Sequence, residues 1–184
     1  MSYLSNYAQG KNNNFNLIRI ISALAVLVTH SFALATGSPL SEPFRSTLGM
    51  TMGSIAVDIF FITSGFLVTG SLLSKKSVTD FILSRCLRIY PALLITILIT
   101  VFGLGIYFTT LPIGAYLHDT RTYVYLIKSS TLIKGVAFNL PGVFEANPFK
   151  ESVNGSLWTM PYEIRMYGLL MLGWIAVLPF TGSS

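Results

Sequence analysis

Charge is scarce in this chain: of 184 residues only 10% are Asp, Glu, Lys or Arg, while 52% are hydrophobic. Soluble domains carry about a quarter charged residues, so the composition excludes an ordinary water-soluble globule and describes an integral membrane protein. Cysteine is almost missing as well. With Cys86 alone there is no intrachain disulfide and no thiolate metal cluster, and no metal site is expected. Acidic residues are outnumbered, giving a net charge of +5. The basic residues are spread along the chain and gather only beside apolar runs, which fits the topology of a membrane protein better than a nucleic-acid partner. Repeats and low-complexity tracts are absent apart from Asn12, Asn13 and Asn14, a polar lead-in to the first apolar run.

Long hydrophobic runs are what the sequence does have. Residues 17–36, about 54–73, 89–108 and about 160–180 each approach the roughly 20 residues that a helix needs to cross a bilayer. The fold class expected is therefore all-α, a polytopic transmembrane bundle of about four spanning helices forming a single integral membrane domain over 1–184. Lys75, Lys76, Arg85 and Arg88 follow the second run, whereas the loop after the first holds only Glu42 and Arg45. By the positive-inside rule the amino terminus and the 74–88 loop are cytoplasmic. Ala33-Leu34-Ala35 offers a rival reading, a signal-peptide cleavage site. Arg19 and His30 inside the run, and three further spans, argue against it. The connection from about Thr109 to Thr159 then lies outside, with the turn-rich stretch LPGVFEANP, and Tyr123 to Phe138 reads as a short helix, interfacial or packed on the bundle.

Against this apolar background the ionisable residues stand out. Arg19 and His30 have ten residues between them, and eleven helical steps of about 100° bring both to one face, roughly 16 Å apart. Such residues are costly in hydrocarbon and suggest a lined interior path. Counting from the expected helix ends, His30, Asp58 and Glu163 share the outer third of the bilayer. Arg19, Arg85 and Arg88 lie towards the cytoplasmic side. Asp58, among Val57, Ile59, Phe60 and Phe61, must find a partner or take a proton, and serves as a structural ion pair or as part of a site. His30 reads as a general base or as a satisfied core histidine. Arg85 and Arg88 would face one way on a helix and make a phosphate site, unless they mark topology alone. His118, in a polar loop, reads as a surface residue.

Five stretches carry a resemblance: NLIRIISALAVLVTH, AVDIFFITSGFL, RCLRIYP, NLPGVFEANP and VNGSLWTMPYEIRMY, in this order between residues 16 and 167. The chain resembles the acyltransferase 3 family of integral membrane O-acyltransferases, which acylate lipopolysaccharide O-antigens, exopolysaccharides and related glycans. The resemblance implies that His30 is catalytic and pairs with Arg19 in the family's first-helix signature. It also implies that Arg85 and Arg88 handle an acetyl-CoA donor from the cytoplasm, with Arg19 following the same donor, and that Asp58 and Glu163 match the family's motif carboxylates, one or the other of which would orient and charge the imidazole. Trp158 stacks on a sugar of the glycan acceptor or anchors the interface. The expected place is the inner membrane, multi-pass. Family members are about twice as long, with about ten spanning helices of roughly 20 residues each. The chain is thus expected to be an amino-terminal part that needs the remaining half or a partner. A non-enzymatic transporter or channel fragment, with His30, Asp58 and Arg19 as an ion relay, is the alternative.

Overall fold

The computed structural model describes residues 14–38, 40–74, 77–150 and 152–181. Asn12, Asn13, Lys75 and Lys76 lie outside the described residues. The described chain is helical, and an isolated bridge between Thr109 and Val143 is its one β-type pairing. Among the described residues three helices are long and apolar enough to cross a membrane: Phe15–Thr36, Met52–Leu72 and Val78–Phe108. A further 22-residue helix, Met160–Thr181, covers the fourth expected run. Contacts divide the chain into two compact units, Met1–Ser71 and Leu72–Ser184.

In the first unit, α1 (Phe15–Thr36) is rich in Leu, Ile, Val and Ala, interrupted by Arg19, Thr29 and His30 among a few polar residues. It stops at Gly37, whose left-handed backbone lets its N–H close on the Ala33 carbonyl. Leu17, Ile20, Ile21, Leu24 and Leu27 are exposed, as a lipid-facing surface requires. The short α2 (Pro43–Leu48) has proline in its first turn, where no N–H is needed, and ends at Gly49. The next helix, α3 (Met52–Ser74), runs antiparallel to α1. The ring of Phe15 packs 5.5 Å from that of Phe66, the Arg19 guanidinium lies 5.0 Å from the Phe60 ring, and Thr29 bonds Gly53. These pairs run in opposite order along the two helices.

The second unit opens with α4 (Val78–Leu98), which continues through a π-helical stretch, Ile99–Gly105, into α5 (Ile106–Phe108). The whole rod is 31 residues long, roughly 46 Å. Its start corrects the expected span of 89–108. Ser77 accepts a hydrogen bond from the Asp80 N–H and caps the helix well before Ile89, and Phe81 is buried on its first turns. Arg85 and Arg88 therefore ride on the helix instead of a loop, and Pro91 is interior, leaving the Leu87 carbonyl without its helical donor.

The following connection is folded. After α6 (Ile113–His118) comes α7 (Thr120–Thr131), which ends at Thr131 and not at Phe138, because Leu132 takes the left-handed conformation. One face of α7 buries Thr122, Tyr125 and Ser129, while Tyr123, Val124 and Ile127 are exposed. The inward hydroxyls are used: Thr122 donates to the Tyr116 carbonyl at 2.8 Å, and Ser129 accepts from the Ala137 N–H. Tyr116 donates to the Val101 carbonyl at 2.9 Å inside the π-helical stretch, where the helical ladder is altered. A Cβ on Gly105 would overlap that tyrosine hydroxyl, so glycine is what admits it. The LPGVFEANP turn is pinned by Thr109, which donates to the Pro141 carbonyl at 2.8 Å, and by the Thr110 N–H on the Gly142 carbonyl. A 3₁₀ turn, Gly155–Thr159, then leads into α8 (Met160–Thr181).

Candidate functional site

In the first unit the best-formed polar structure is at the start of α3, where three backbone N–H groups receive three side chains from different places. The Glu42 carboxylate accepts from Met52 at 2.8 and 3.0 Å, Thr29 Oγ1 accepts from Gly53 at 2.8 Å, and Thr51 Oγ1 accepts from Ser54 at 3.0 Å. Thr29 in turn donates to Glu42 at 2.9 Å. Glu42 is only 2% exposed, so a negative charge is held at a helix amino terminus that favours it, close to Thr29 and the neighbouring His30. Nothing larger than glycine fits at Gly53, where a Cβ would come within 2.8 Å of Thr29. The expectation treated Glu42 as a loop charge. Its isolation between two apolar runs was the available signal.

His30 and Arg19 sit on the unbroken α1, so their shared face holds, with Arg19 against Phe60 at one edge of the seam with α3. Both are half-buried. Asp58 departs from the expected depth match. Because α3 begins at Met52, level with Thr29, and Phe60 is level with Arg19, Asp58 lies level with the turn around Ser22. That is about eight residues, or roughly 12 Å, along α1 from His30. Asp58 is exposed, and among the described residues no hydrogen bond or ion pair joins it to His30.

The second unit gathers residues that were expected at opposite ends. Tyr167, 7% exposed on α8, donates its hydroxyl proton to the Glu163 carboxylate one turn earlier. The guanidinium of Arg85 lies 5.8 Å from the Tyr167 ring and 5.6 Å from that of Phe81. Arg88 is exposed, one turn along α4 from Arg85. Glu163 is thus linked to Arg85 through Tyr167, where an outer carboxylate and an inner arginine were expected apart. Tyr167, on α8, lies against Arg85 two turns into α4 and not near that rod's other end at Phe108. Between the two helices is a cavity of about 250 Å³, lined by Phe81, Arg85, Cys86, Tyr90, Tyr167 and Gly168 among others, and almost wholly apolar. Tyr167 was missed by sequence reasoning, although its place four residues after Glu163, on the same helical face, was readable.

Trp158 is 41% exposed in the 3₁₀ turn and packs edge-on to Tyr162, with ring centroids 5.8 Å apart. His118 is exposed, as expected for a surface residue. Its neighbour Asp119 pairs with Arg121 at 2.7 Å, and that guanidinium holds the Asp119 carboxyl below the usual range. Among the described residues no group of three or more His, Cys, Asp or Glu could hold a metal ion.

An acyltransferase domain model matches residues 12–182. The chain is 33% identical to an O-acetyl transferase of Shigella phage Sf6 over 159 residues, covering 85% of this chain and 44% of that protein. It is 31% identical to nodulation protein 10 of Rhizobium leguminosarum bv. viciae over 169 residues, covering 88% and 44%. Acyltransferase MdmB of Streptomyces mycarofaciens is 36% identical over 115 residues, 59% of this chain and 29% of that protein. The chain spans less than half the length of these curated relatives. No solved structure matches. A domain match across nearly the whole chain, on three apolar helices of membrane-spanning length, means that the chain belongs to the acyltransferase 3 family of membrane proteins.

Proposed function

We propose that this chain is part of a membrane O-acyltransferase that moves an acetyl group from cytoplasmic acetyl-CoA to a hydroxyl of a cell-surface glycan such as an O-antigen or exopolysaccharide. The observation that carries the reading is the acyltransferase domain match over 12–182, which takes in His30, Asp58, Arg85, Arg88, Trp158 and Glu163 together. The reaction needs a base for the acceptor hydroxyl, and the imidazole of His30 is the group assigned to take that proton. The sugar oxygen attacks the thioester carbonyl, an ester forms, and coenzyme A leaves as the thiol.

Coenzyme A carries phosphate groups, and two guanidiniums on one side of a helix provide fixed, permanently charged donors for them. Arg85 and Arg88 have that arrangement on α4, and the cavity beside Arg85 is apolar enough for the uncharged part of the donor. Arg19 is a second cation for the donor, and Trp158, with its exposed ring, is a platform for a sugar face. The amino terminus is placed in the cytoplasm of a cell whose inner membrane holds the protein. The part of the longer relatives that this chain does not cover, or a partner, completes the enzyme.

The test of the donor assignment is Arg88→Ala in membranes that carry the protein. Arg88 is exposed, so the fold survives its loss. The KM for acetyl-CoA should rise by about tenfold or more, as expected for one charge-assisted phosphate contact, with the acceptor KM nearly constant. Equal effects on both substrates would contradict the assignment.

A further inference from the structure

In the second unit Glu163 and Arg85 are linked through one side chain, that of Tyr167. Tyr167 presents two functional surfaces at once: its hydroxyl is bonded to Glu163, and its ring lies against the Arg85 guanidinium, which Phe81 flanks as well. Both Arg85 and Tyr167 also line the 250 Å³ cavity between α4 and α8. A guanidinium next to an aromatic face is held in orientation, and a carboxylate that accepts a phenolic proton is held in rotamer. Both side chains are long and rotatable, so contact with Tyr167 narrows the rotamers open to each.

From this arrangement we infer that Tyr167 is a positioning residue of the acyl-transfer site, fixing Arg85 through its ring and Glu163 through its hydroxyl. The inference rests on the reading of Arg85 and Arg88 as the donor site. The two halves of the tyrosine have separable consequences. The ring acts on donor binding, through Arg85. The hydroxyl acts on turnover, through Glu163. A residue that only filled space would not divide its effects in this way, because loss of packing lowers the amount of folded protein and leaves the kinetic constants of the remainder alone.

The experiment measures kcat and the KM for acetyl-CoA in membranes, normalised to inserted protein, for the unaltered protein and for Tyr167→Phe, Tyr167→Leu, Glu163→Ala and the double variant Tyr167→Phe/Glu163→Ala. Tyr167→Phe keeps the ring and should lower kcat by about tenfold, the scale of one hydrogen bond to a charged group, with the donor KM within about threefold of normal. Tyr167→Leu should raise the donor KM in addition, by roughly fivefold, as the cation–π contact is lost. The double variant should be no slower than Glu163→Ala alone, since the hydroxyl acts through that carboxylate. Unchanged kcat in Tyr167→Phe, or losses that multiply in the double variant, would overturn the inference. Should Tyr167→Leu fail to insert, the phenylalanine and double variants still decide it. An Arg88→Ala protein with a normal donor KM would instead defeat the donor-site reading, while a kcat coupling between Tyr167 and Glu163 would stand.

Discussion

Replacing Glu42 by alanine tests whether the start of α3 is organised as described. The carboxylate accepts two bonds from the Met52 N–H and one from Thr29, and it is almost fully buried. Hydrogen bonds to a charged group are worth about 1.5–3 kcal/mol, and a favourable helix dipole adds up to roughly 1 kcal/mol. Alanine removes the acceptor and leaves a buried N–H and a threonine hydroxyl without it, so a loss of about 3 kcal/mol is expected. Glutamine keeps one acceptor oxygen without the charge and should cost about half of that. Thermal unfolding of the detergent-solubilised protein, followed by the loss of soluble monomer, measures both. Thr29→Val should resemble the glutamine variant, and combining it with Glu42→Ala should cost less than the two losses added, because both disrupt one network. A Glu42→Ala protein as stable as the original would refute the reasoning, since no other group is then needed to satisfy the first turn of α3.

Two further outcomes follow from the second unit. Tyr125 is fully buried with no hydrogen-bond partner for its hydroxyl among the described residues, so Tyr125→Phe should stabilise the protein by about 1 kcal/mol in the same unfolding assay. Burial, and secondarily Tyr116 nearby, pushes this hydroxyl up to about 12, from an ordinary value of 10. The folded state then keeps a proton that the unfolded chain releases, so stability is fully present below about pH 10 and falls as pH rises towards 12. Tyr125→Phe should flatten that alkaline decline; an unchanged decline would place its origin elsewhere. Gly105→Ala should destabilise by about 2 kcal/mol, because the added methyl displaces the Tyr116 hydroxyl from the Val101 carbonyl. In a Tyr116→Phe background the same change should cost less, and a full cost there would count against the overlap.

Much of this arrangement is legible in the residues, for identifiable reasons. Spans are set by apolar length, and α1 and α3 begin within two residues of where composition puts them. The shared face of Arg19 and His30 follows from helical periodicity alone. Depth across helices does not, because it depends on where each partner helix starts. Asp58 was matched with His30 on the assumption of equal entry, whereas the Glu42 and Thr29 caps set the start of α3 level with Thr29 and carry Asp58 deeper. Glu163 was separated from Arg85 for the same reason. The sequence shows a polar connection of that length but not how far it travels along α4. Ser77 also escaped notice as a cap, so the arginines were read as a loop. Family resemblance supplied the motif residues, and contacts supplied Glu42 and Tyr167.

The measurement closest to the central claim is transfer of labelled acetyl from acetyl-CoA to surface glycan in cells carrying the gene, with and without His30→Ala. If His30 takes the hydroxyl proton, glycan labelling should fall by about 100-fold or more, the low end of what general-base catalysis contributes, while inserted protein stays constant. Labelling that persists at the normal rate in the His30→Ala protein would contradict the account, and so would a gene whose deletion leaves glycan acetylation unchanged.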